Sequence, residues 1–272
     1  MLDPFAEGPS APRALLLDAD GVVFAPMVHR DTIRVLTEQV VRRLTTAAIE
    51  HDVDRVRGAL EHGLRAISER DATLRHRRVP REVPAETVAA VLTAELDADA
   101  RSALLRDAAA LSGDLDAALW QRDPRPQAVE AIAVAHSRGI PVALIGDAPP
   151  GHRRRALLSA GSLSPMVTAQ VFSEEVGVRR PHPRSIEVAA ALLGVHPVDA
   201  WYVGSHPRRD LLAARRAGVG HVLAVRDESD VATLVAALRD SPAPRTRPRT
   251  PRRGTLLTSD ESDAADEIDD VA

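Results

Sequence analysis

The 272-residue sequence contains no cysteine, no lysine and no asparagine. The lack of cysteine excludes disulfides, thiol nucleophiles and cysteine-ligated zinc, and it is consistent with a reducing compartment such as the cytoplasm. Because lysine is absent, all 35 lysine-plus-arginine positions are arginine. Any fixed side-chain cation in a functional site, histidine aside, is therefore a guanidinium group.

Charge and hydropathy exclude further classes. The formal net charge is −4, so we expect no nucleic-acid partner. No apolar run approaches the roughly 20 residues that span a bilayer, and the amino terminus shows no secretion signal, so we expect no membrane association. The sequence predicts a cytoplasmic globular protein and indicates no oligomeric state.

A short apolar stretch near the amino terminus ends at two carboxylates. Residues 14–17 are all apolar and are followed by Asp18, Asp20 and Gly21, a pattern typical of a buried strand. Asp18 and Asp20 leave the carboxyl end of this strand on the same side, where open α/β sheets bind ligands. Taken alone, the pattern favours an Asp-x-Asp-Gly turn after an ordinary strand, so the remainder of the chain has to decide.

The remainder of the chain divides into three regions. Apolar residues at steps of three and four predict a helical block over residues 25–121, longer than a crossover needs and therefore a separate subdomain. Strand-like and helical segments alternate over residues 12–24 and 122–240, which predicts an α/β fold with a Rossmann-like parallel sheet in three layers. Residues 241–272 are rich in proline and arginine and then acidic, which predicts a disordered tail. This tail could serve solubility or contact an anionic partner.

Polar residues follow each later strand of the predicted sheet. Gly146 and Asp147 follow the second strand, Arg180 follows the third, and Ser205 and Asp210 follow the fourth. The carboxyl ends of parallel strands meet at one edge, so we expect these residues to lie near Asp18 and Asp20. Asp210 could be a ligand in a site or the cap of the helix predicted to begin there.

Three segments in this order resemble the haloacid dehalogenase (HAD) superfamily over residues 12–238. They are LLDADGVVF at 16–24, FSEEVGVRRPHP at 172–183 and VGSHPRRD at 203–210. The resemblance implies that the helical block is a cap, that Asp18 is a nucleophile forming an aspartyl-phosphate, and that Asp20 is the general acid and base. It also implies Mg²⁺ between Asp18, the Asp20 carbonyl and an acid after the fourth strand, with Gly146, Asp147 and Arg180 near the phosphate.

Three positions depart from the superfamily pattern. Gly146 stands where the family usually has threonine or serine, and Arg180 stands where it has lysine. Ser205 stands at the usual acidic ligand and is a poor ligand for magnesium, which leaves Asp210 as the available acid. The neighbouring His206, Arg208 and Arg209 could face the phosphate, but we interpret them as parts of a solvated loop.

These observations predict a HAD-like phosphatase acting on a small phosphorylated metabolite, with a degenerate and weak magnesium site. One alternative is a catalytically inactive relative that serves as a binding or regulatory protein. A second is a metal-independent dehalogenase-like hydrolase, which the presence of Asp20 disfavours.

Overall fold

The computed structural model describes residues 11–26, 29–74, 77, 79–147 and 163–242, so the predicted tail beyond Pro242 lies outside the described residues. The strands are β1 Ala14–Asp18, β2 Phe24–Pro26, β3 Trp120–Pro124, β4 Val142–Gly146, β5 Ala169–Phe172, β6 Ala200–Gly204 and β7 His221–Ala224. The helices are α1 His29–Thr46, α2 Val53–Leu74, α3 Ala85–Leu92, α4 Ala98–Leu105, α5 Ala108–Leu119, α6 Pro126–Ser137, α7 Ser173–Val176, α8 Arg184–Leu192, α9 Leu212–Arg216 and α10 Glu228–Asp240.

Five of the strands form one parallel sheet in the order β5-β4-β1-β6-β7. The central strand, β1, pairs with β4 on one side and β6 on the other. Strands β1, β4 and β6 have five residues each, and all of these residues are buried, as expected of parallel strands covered on both faces. The predicted α/β fold with a Rossmann-like parallel sheet is confirmed.

Helices cover both faces of this sheet and make three layers. Leu15 and Leu17 pack on one face with α6 and α10. Ala14 and Leu16 alternate to the other face and pack with α8 and α9. This alternation along β1 follows from the period of two in a strand, and it fixes the direction in which the residues after Leu17 leave the sheet.

Helices α1 to α5 form a helical block (residues 29–119) with an apolar core of its own, built around residues such as Leu36, Leu60 and Leu111. The chain enters and leaves this block through β2 and β3, which pair antiparallel as a two-stranded ribbon. The ribbon was not predicted from the sequence. The exact division into core and cap at residues 24/25 and 121/122 stays a prediction.

The described part of the chain contains no helix that combines the length and the apolar character needed to cross a membrane.

Candidate active site

The carboxyl end of β1 places two carboxylates at the centre of the sheet edge. Asp18 is fully buried and Asp20 nearly so, and the backbone N–H of Asp20 donates to Asp18 Oδ1 at 3.2 Å. Gly21 follows with φ +112°, and a Cβ at this position would lie 2.3 Å from Ser205 Oγ. Only glycine therefore lets the turn after β1 approach the loop after β6 this closely.

The Arg180 side chain contacts three carboxylates of the site. Its side chain is fully buried, and Nη1 lies 2.8 Å from Asp18 Oδ1 and 3.1 Å from Asp210 Oδ1. The same nitrogen donates to the Tyr202 hydroxyl at 2.8 Å, and Nε lies 3.2 Å from Asp147 Oδ2. Arginine thus occupies the position that the family resemblance assigns to lysine, and its forked group reaches three carboxylates at once.

One nitrogen of this guanidinium group is left over. Arg180 Nη2 is buried and has no hydrogen-bond partner among the described residues. The Nε contact with Asp147 is an ion pair without hydrogen-bond alignment. A buried guanidinium nitrogen without a partner is costly unless a ligand supplies an acceptor.

The residues after β4 serve the same cluster. The backbone N–H of Asp147 donates to Asp20 Oδ2 at 3.1 Å, and its carboxylate accepts from the Arg180 backbone N–H at 3.3 Å. A Cβ on Gly146 would lie 3.0 Å from the Phe172 ring and 3.3 Å from Asp20 Oδ2. A larger residue at this position would therefore press on Phe172 and Asp20, and the Asp147 carboxylate forms an ion pair with Arg180.

Asp210 holds the loop after β6 in place. Its Oδ2 accepts from the backbone N–H groups of Ser205 and His206 at 2.9 and 2.8 Å. In this position it caps the loop rather than a helix. Ser205 Oγ is thereby placed 3.2 Å from Asp18 Oδ2 and 3.4 Å from the Asp20 carbonyl oxygen.

Arg209 corrects the interpretation made from the sequence. It does not belong to a solvated loop: its side chain is 17% exposed. Nη2 lies 2.8 Å from Asp18 Oδ2, 3.1 Å from the Asp20 carbonyl oxygen and 3.1 Å from Asp210 Oδ2. A π-helical turn over Pro207–Leu211 replaces the start of the predicted helix and aims Arg209 inward. Such turns are frequent at functional sites.

The neighbours of Arg209 differ from it. Arg208 is exposed, in agreement with the interpretation as part of a solvated loop. His206 lies at the start of the π-helical turn, where its Nδ1 accepts from the Arg209 backbone N–H at 3.2 Å. Nothing in the order His-Pro-Arg-Arg-Asp signals which arginine turns inward. Tyr202, which accepts from Arg180, was not identified from the sequence as a site residue either.

The surroundings shift the pKa values of Asp18 and Asp210 in opposite directions. Burial raises the pKa of Asp18 to about 7, although Arg180 and Arg209 act in the opposite direction. Burial acts on Asp210 in the same sense, but Arg180, Arg209 and two backbone donors outweigh it and hold its pKa below the ordinary value. The pKa of Asp18 thus lies near neutral pH, whereas the pKa of Asp210 lies below the ordinary aspartate value.

A cavity of about 260 Å³ lies between the sheet edge and the helical block. Its sheet-side lining includes Asp20, Asp147, Arg179, Arg180 and Arg209. Its lining from the helical block combines apolar and polar side chains. The apolar ones include Ile67, Leu74, Val83, Val88, Val91, Leu115 and Leu119, and the polar ones are Arg70, Asp71, Glu82, Thr87, Ser112 and Asp116. Arg179 closes one side, because it pairs with Asp71 of α2 at 2.8 Å and donates to the Asp147 carbonyl at 3.1 Å.

All the residues predicted to form the site are brought together here. These are Asp18, Asp20, Gly146, Asp147, Arg180, Ser205 and Asp210.

The predicted magnesium ligands do not fit the ion as they are placed, because a guanidinium nitrogen lies within 3.1 Å of oxygens of Asp18, Asp20 and Asp210. Among the described residues no cluster of three or more metal-binding side chains is arranged around a common point. Magnesium binding stays a prediction.

A family model for haloacid dehalogenase-like hydrolases matches residues 12–218, about three quarters of the chain. The chain belongs to this family. The HAD resemblance identified from the three sequence motifs is thereby confirmed.

Curated proteins with sequences similar to this HAD-family chain include phosphatases. A phosphoserine phosphatase from Thermus thermophilus is 37% identical over 94 residues, which are 35% of this chain and 37% of the relative. A phosphoglycolate phosphatase from Yersinia pestis is 30% identical over 93 residues, which are 34% of this chain and 39% of the relative. The chain thus spans less than two fifths of the length of these two relatives.

Solved structures of the HAD fold cover more of the chain. The 2-haloacid dehalogenase from Pseudomonas syringae pv. Tomato matches 82% of this chain and 97% of its own, with a TM-score of 0.50 and 15% identity. At this identity the likeness concerns the fold alone.

Proposed function

We propose that this HAD-family protein hydrolyses phosphate monoesters of small molecules, with Asp18 as nucleophile. The observation that carries the proposal is Arg180 Nη2, which has no hydrogen-bond partner in the part of the chain that the structure describes and is buried in a guanidinium group that lines the same cavity as Asp20 and touches Asp18. A phosphoryl oxygen supplies the acceptor that this nitrogen lacks, and it brings phosphorus next to the Asp18 carboxylate. The phosphatases among the relatives support the same reaction class.

The proposed reaction has two displacements at phosphorus. The Asp18 carboxylate forms a bond to phosphorus, the bond to the ester oxygen breaks, and Asp20 gives its proton to that leaving oxygen. A water molecule then attacks phosphorus, Asp20 takes its proton, and the bond to Asp18 breaks to release phosphate. The backbone N–H of Asp147 donates to Asp20 Oδ2 at 3.1 Å and so orients this carboxyl group.

The cavity also indicates the size and character of the leaving group. A volume of about 260 Å³ falls just below the roughly 300 to 1,000 Å³ of most small-molecule sites. Its wall from the helical block carries aliphatic side chains together with Arg70 and three acids, of which Asp71 and Glu82 lie near Arg179. We propose a compact monoester whose leaving group has an apolar part, and a cap role for the helical block in selecting it.

Hydrolysis of p-nitrophenyl phosphate by the full chain tests this function. Release of phosphate that depends on Asp18 supports it. If no tested ester releases phosphate while a 2-haloacid is consumed, the dehalogenase hypothesis replaces the phosphatase proposal.

A second candidate function rests on the hydrogen bonds that the Asp18 carboxylate already accepts. Its Oδ1 accepts from Arg180 and from the Asp20 backbone, and its Oδ2 accepts from Arg209 and Ser205. A carboxylate held by four donors and fully buried is a weak nucleophile, which favours a binding or regulatory relative of the enzymes. Saturable binding of a phosphate ester without turnover would support this second function.

The pH dependence of hydrolysis follows from the raised pKa of Asp18. The nucleophile has to be ionised, and its pKa of about 7 in the folded protein lies above the ordinary aspartate value. We therefore expect kcat/KM to fall about tenfold per pH unit below pH 7. A pH profile between 5 and 9 with a flat acid limb would contradict this assignment.

A further inference from the structure

The three oxygens predicted to bind magnesium surround a side-chain cation of the protein itself. Arg209 Nη2 lies 2.8 Å from Asp18 Oδ2 and 3.1 Å from both the Asp20 carbonyl oxygen and Asp210 Oδ2. Ser205 Oγ lies beside it, 3.2 Å from Asp18 Oδ2. One guanidinium nitrogen therefore contacts each group that the family resemblance assigns to the ion.

We propose that Arg209, together with Ser205, takes the place of the divalent cation and that this site works without magnesium. The proposal rests on the proposed phosphate-ester hydrolysis for its catalytic meaning, but the placement of Arg209 stands without it. In this role Arg209 holds Asp18 in position and offsets negative charge on the transferring phosphoryl group.

Ser205 and the inward Arg209 together compensate in charge for the usual acid and its metal ion. A divalent ion with an aspartate and an arginine with a serine both carry a net charge of plus one. Ser205 replaces the acid at the usual ligand position, and Arg209 supplies the cation that this acid would have helped to hold. The loss of a metal ligand and the inward arginine are thus one change in the design of the site.

The geometry leaves no place for both cations. Magnesium requires oxygen ligands at about 2.0 to 2.1 Å in near-octahedral array and keeps several waters. Arg209 occupies the space between the three oxygens, and its positive charge would repel the ion. The Asp210 carboxylate pairs with the Arg209 guanidinium group, and His206 Nδ1 accepts from the Arg209 backbone N–H.

The first test measures magnesium binding by the wild-type protein apart from hydrolysis. After treatment with a chelator, the melting temperature is followed during titration with magnesium chloride alone, and p-nitrophenyl phosphate hydrolysis is measured with chelator and with magnesium. We expect no shift in melting temperature and no change in rate. A magnesium-dependent rise in melting temperature, or hydrolysis that chelator abolishes and magnesium restores, would overturn the proposal.

The second test removes the guanidinium group. Arg209→Gln should lower kcat by about 10²- to 10³-fold, the usual loss on removing a group that stabilises developing charge. The matched control is Arg208→Gln, which changes the exposed neighbour and should leave kcat unaltered. Unchanged or increased hydrolysis by Arg209→Gln would show that Arg209 blocks the site rather than serving it.

The third test restores the usual ligand. A Ser205→Asp/Arg209→Gln double variant should gain a magnesium-dependent rise in melting temperature, which the wild type lacks. A folded double variant without this rise would contradict the claim that Arg209 occupies the place of the metal; if it does not fold, the wild-type titration decides. Absence of wild-type hydrolysis with and without magnesium would refute the proposed function alone, because the melting-temperature titration tests Arg209 independently.

Discussion

Replacing Asp18 by asparagine should lower phosphate-ester hydrolysis by roughly 10⁴- to 10⁶-fold, as expected when a covalent nucleophile is removed. Asparagine keeps the size of the side chain but offers a neutral amide oxygen, which does not displace an alkoxide from phosphorus. The measurement is steady-state hydrolysis of p-nitrophenyl phosphate by the purified full chain.

The control for this substitution is the same change at the other end of the strands, where β6 begins. Asp199→Asn alters a half-exposed aspartate that pairs with Arg13 just before β6, far from the cavity. It should hydrolyse the substrate like the wild type. Equal losses in both variants, or substantial activity in a folded Asp18→Asn protein, would show that Asp18 is not the nucleophile.

Replacing Arg180 by methionine should destabilise the protein by about 3 to 5 kcal/mol, the cost typical of breaking a buried ion pair by removing one partner. Methionine retains the length of the side chain but leaves the carboxylates of Asp18, Asp147 and Asp210 without the cation that lies 2.8 to 3.2 Å from them. Urea unfolding with an unchanged slope measures the loss.

The matched control is Arg226→Met, which breaks a pair with Asp230 at 2.9 Å near the surface and should cost no more than about 1 kcal/mol. A second variant tests the physical cause. Adding Asp147→Asn to Arg180→Met removes one uncompensated carboxylate and should recover part of the lost stability. Wild-type stability in Arg180→Met would mean that the buried carboxylates are satisfied by other groups.

The sheet and its carboxylates could be predicted because the relevant signals are local. Apolar residues 14–17 followed by Asp18 and Asp20 have the pattern of a buried strand with a polar end, and the alternation after residue 122 predicts parallel neighbours. Since parallel strands end at a common edge, the convergence of Asp18, Asp147, Arg180 and Asp210 followed from the topology.

The inward position of Arg209 could not be predicted, because it depends on one irregular turn. Arg208 and Arg209 are chemically identical neighbours, and only the π-helical turn over Pro207–Leu211 selects which one faces Asp18. Tyr202 was missed for a related reason: every residue of β6 is buried, so the sequence does not show which of them reaches Arg180. The β2–β3 ribbon is only three and five residues long, too short for a periodic signal.

The formation of a covalent aspartyl-phosphate at Asp18 is the central claim, and borohydride trapping during turnover tests it most directly. Borohydride reduces an acyl phosphate to an alcohol, so the peptide containing residue 18 should carry homoserine at that position when substrate is present and unchanged aspartate when it is absent. The prediction is homoserine at residue 18 and none at residue 20. Continued release of phosphate with Asp18 intact in the trapped protein would contradict the account.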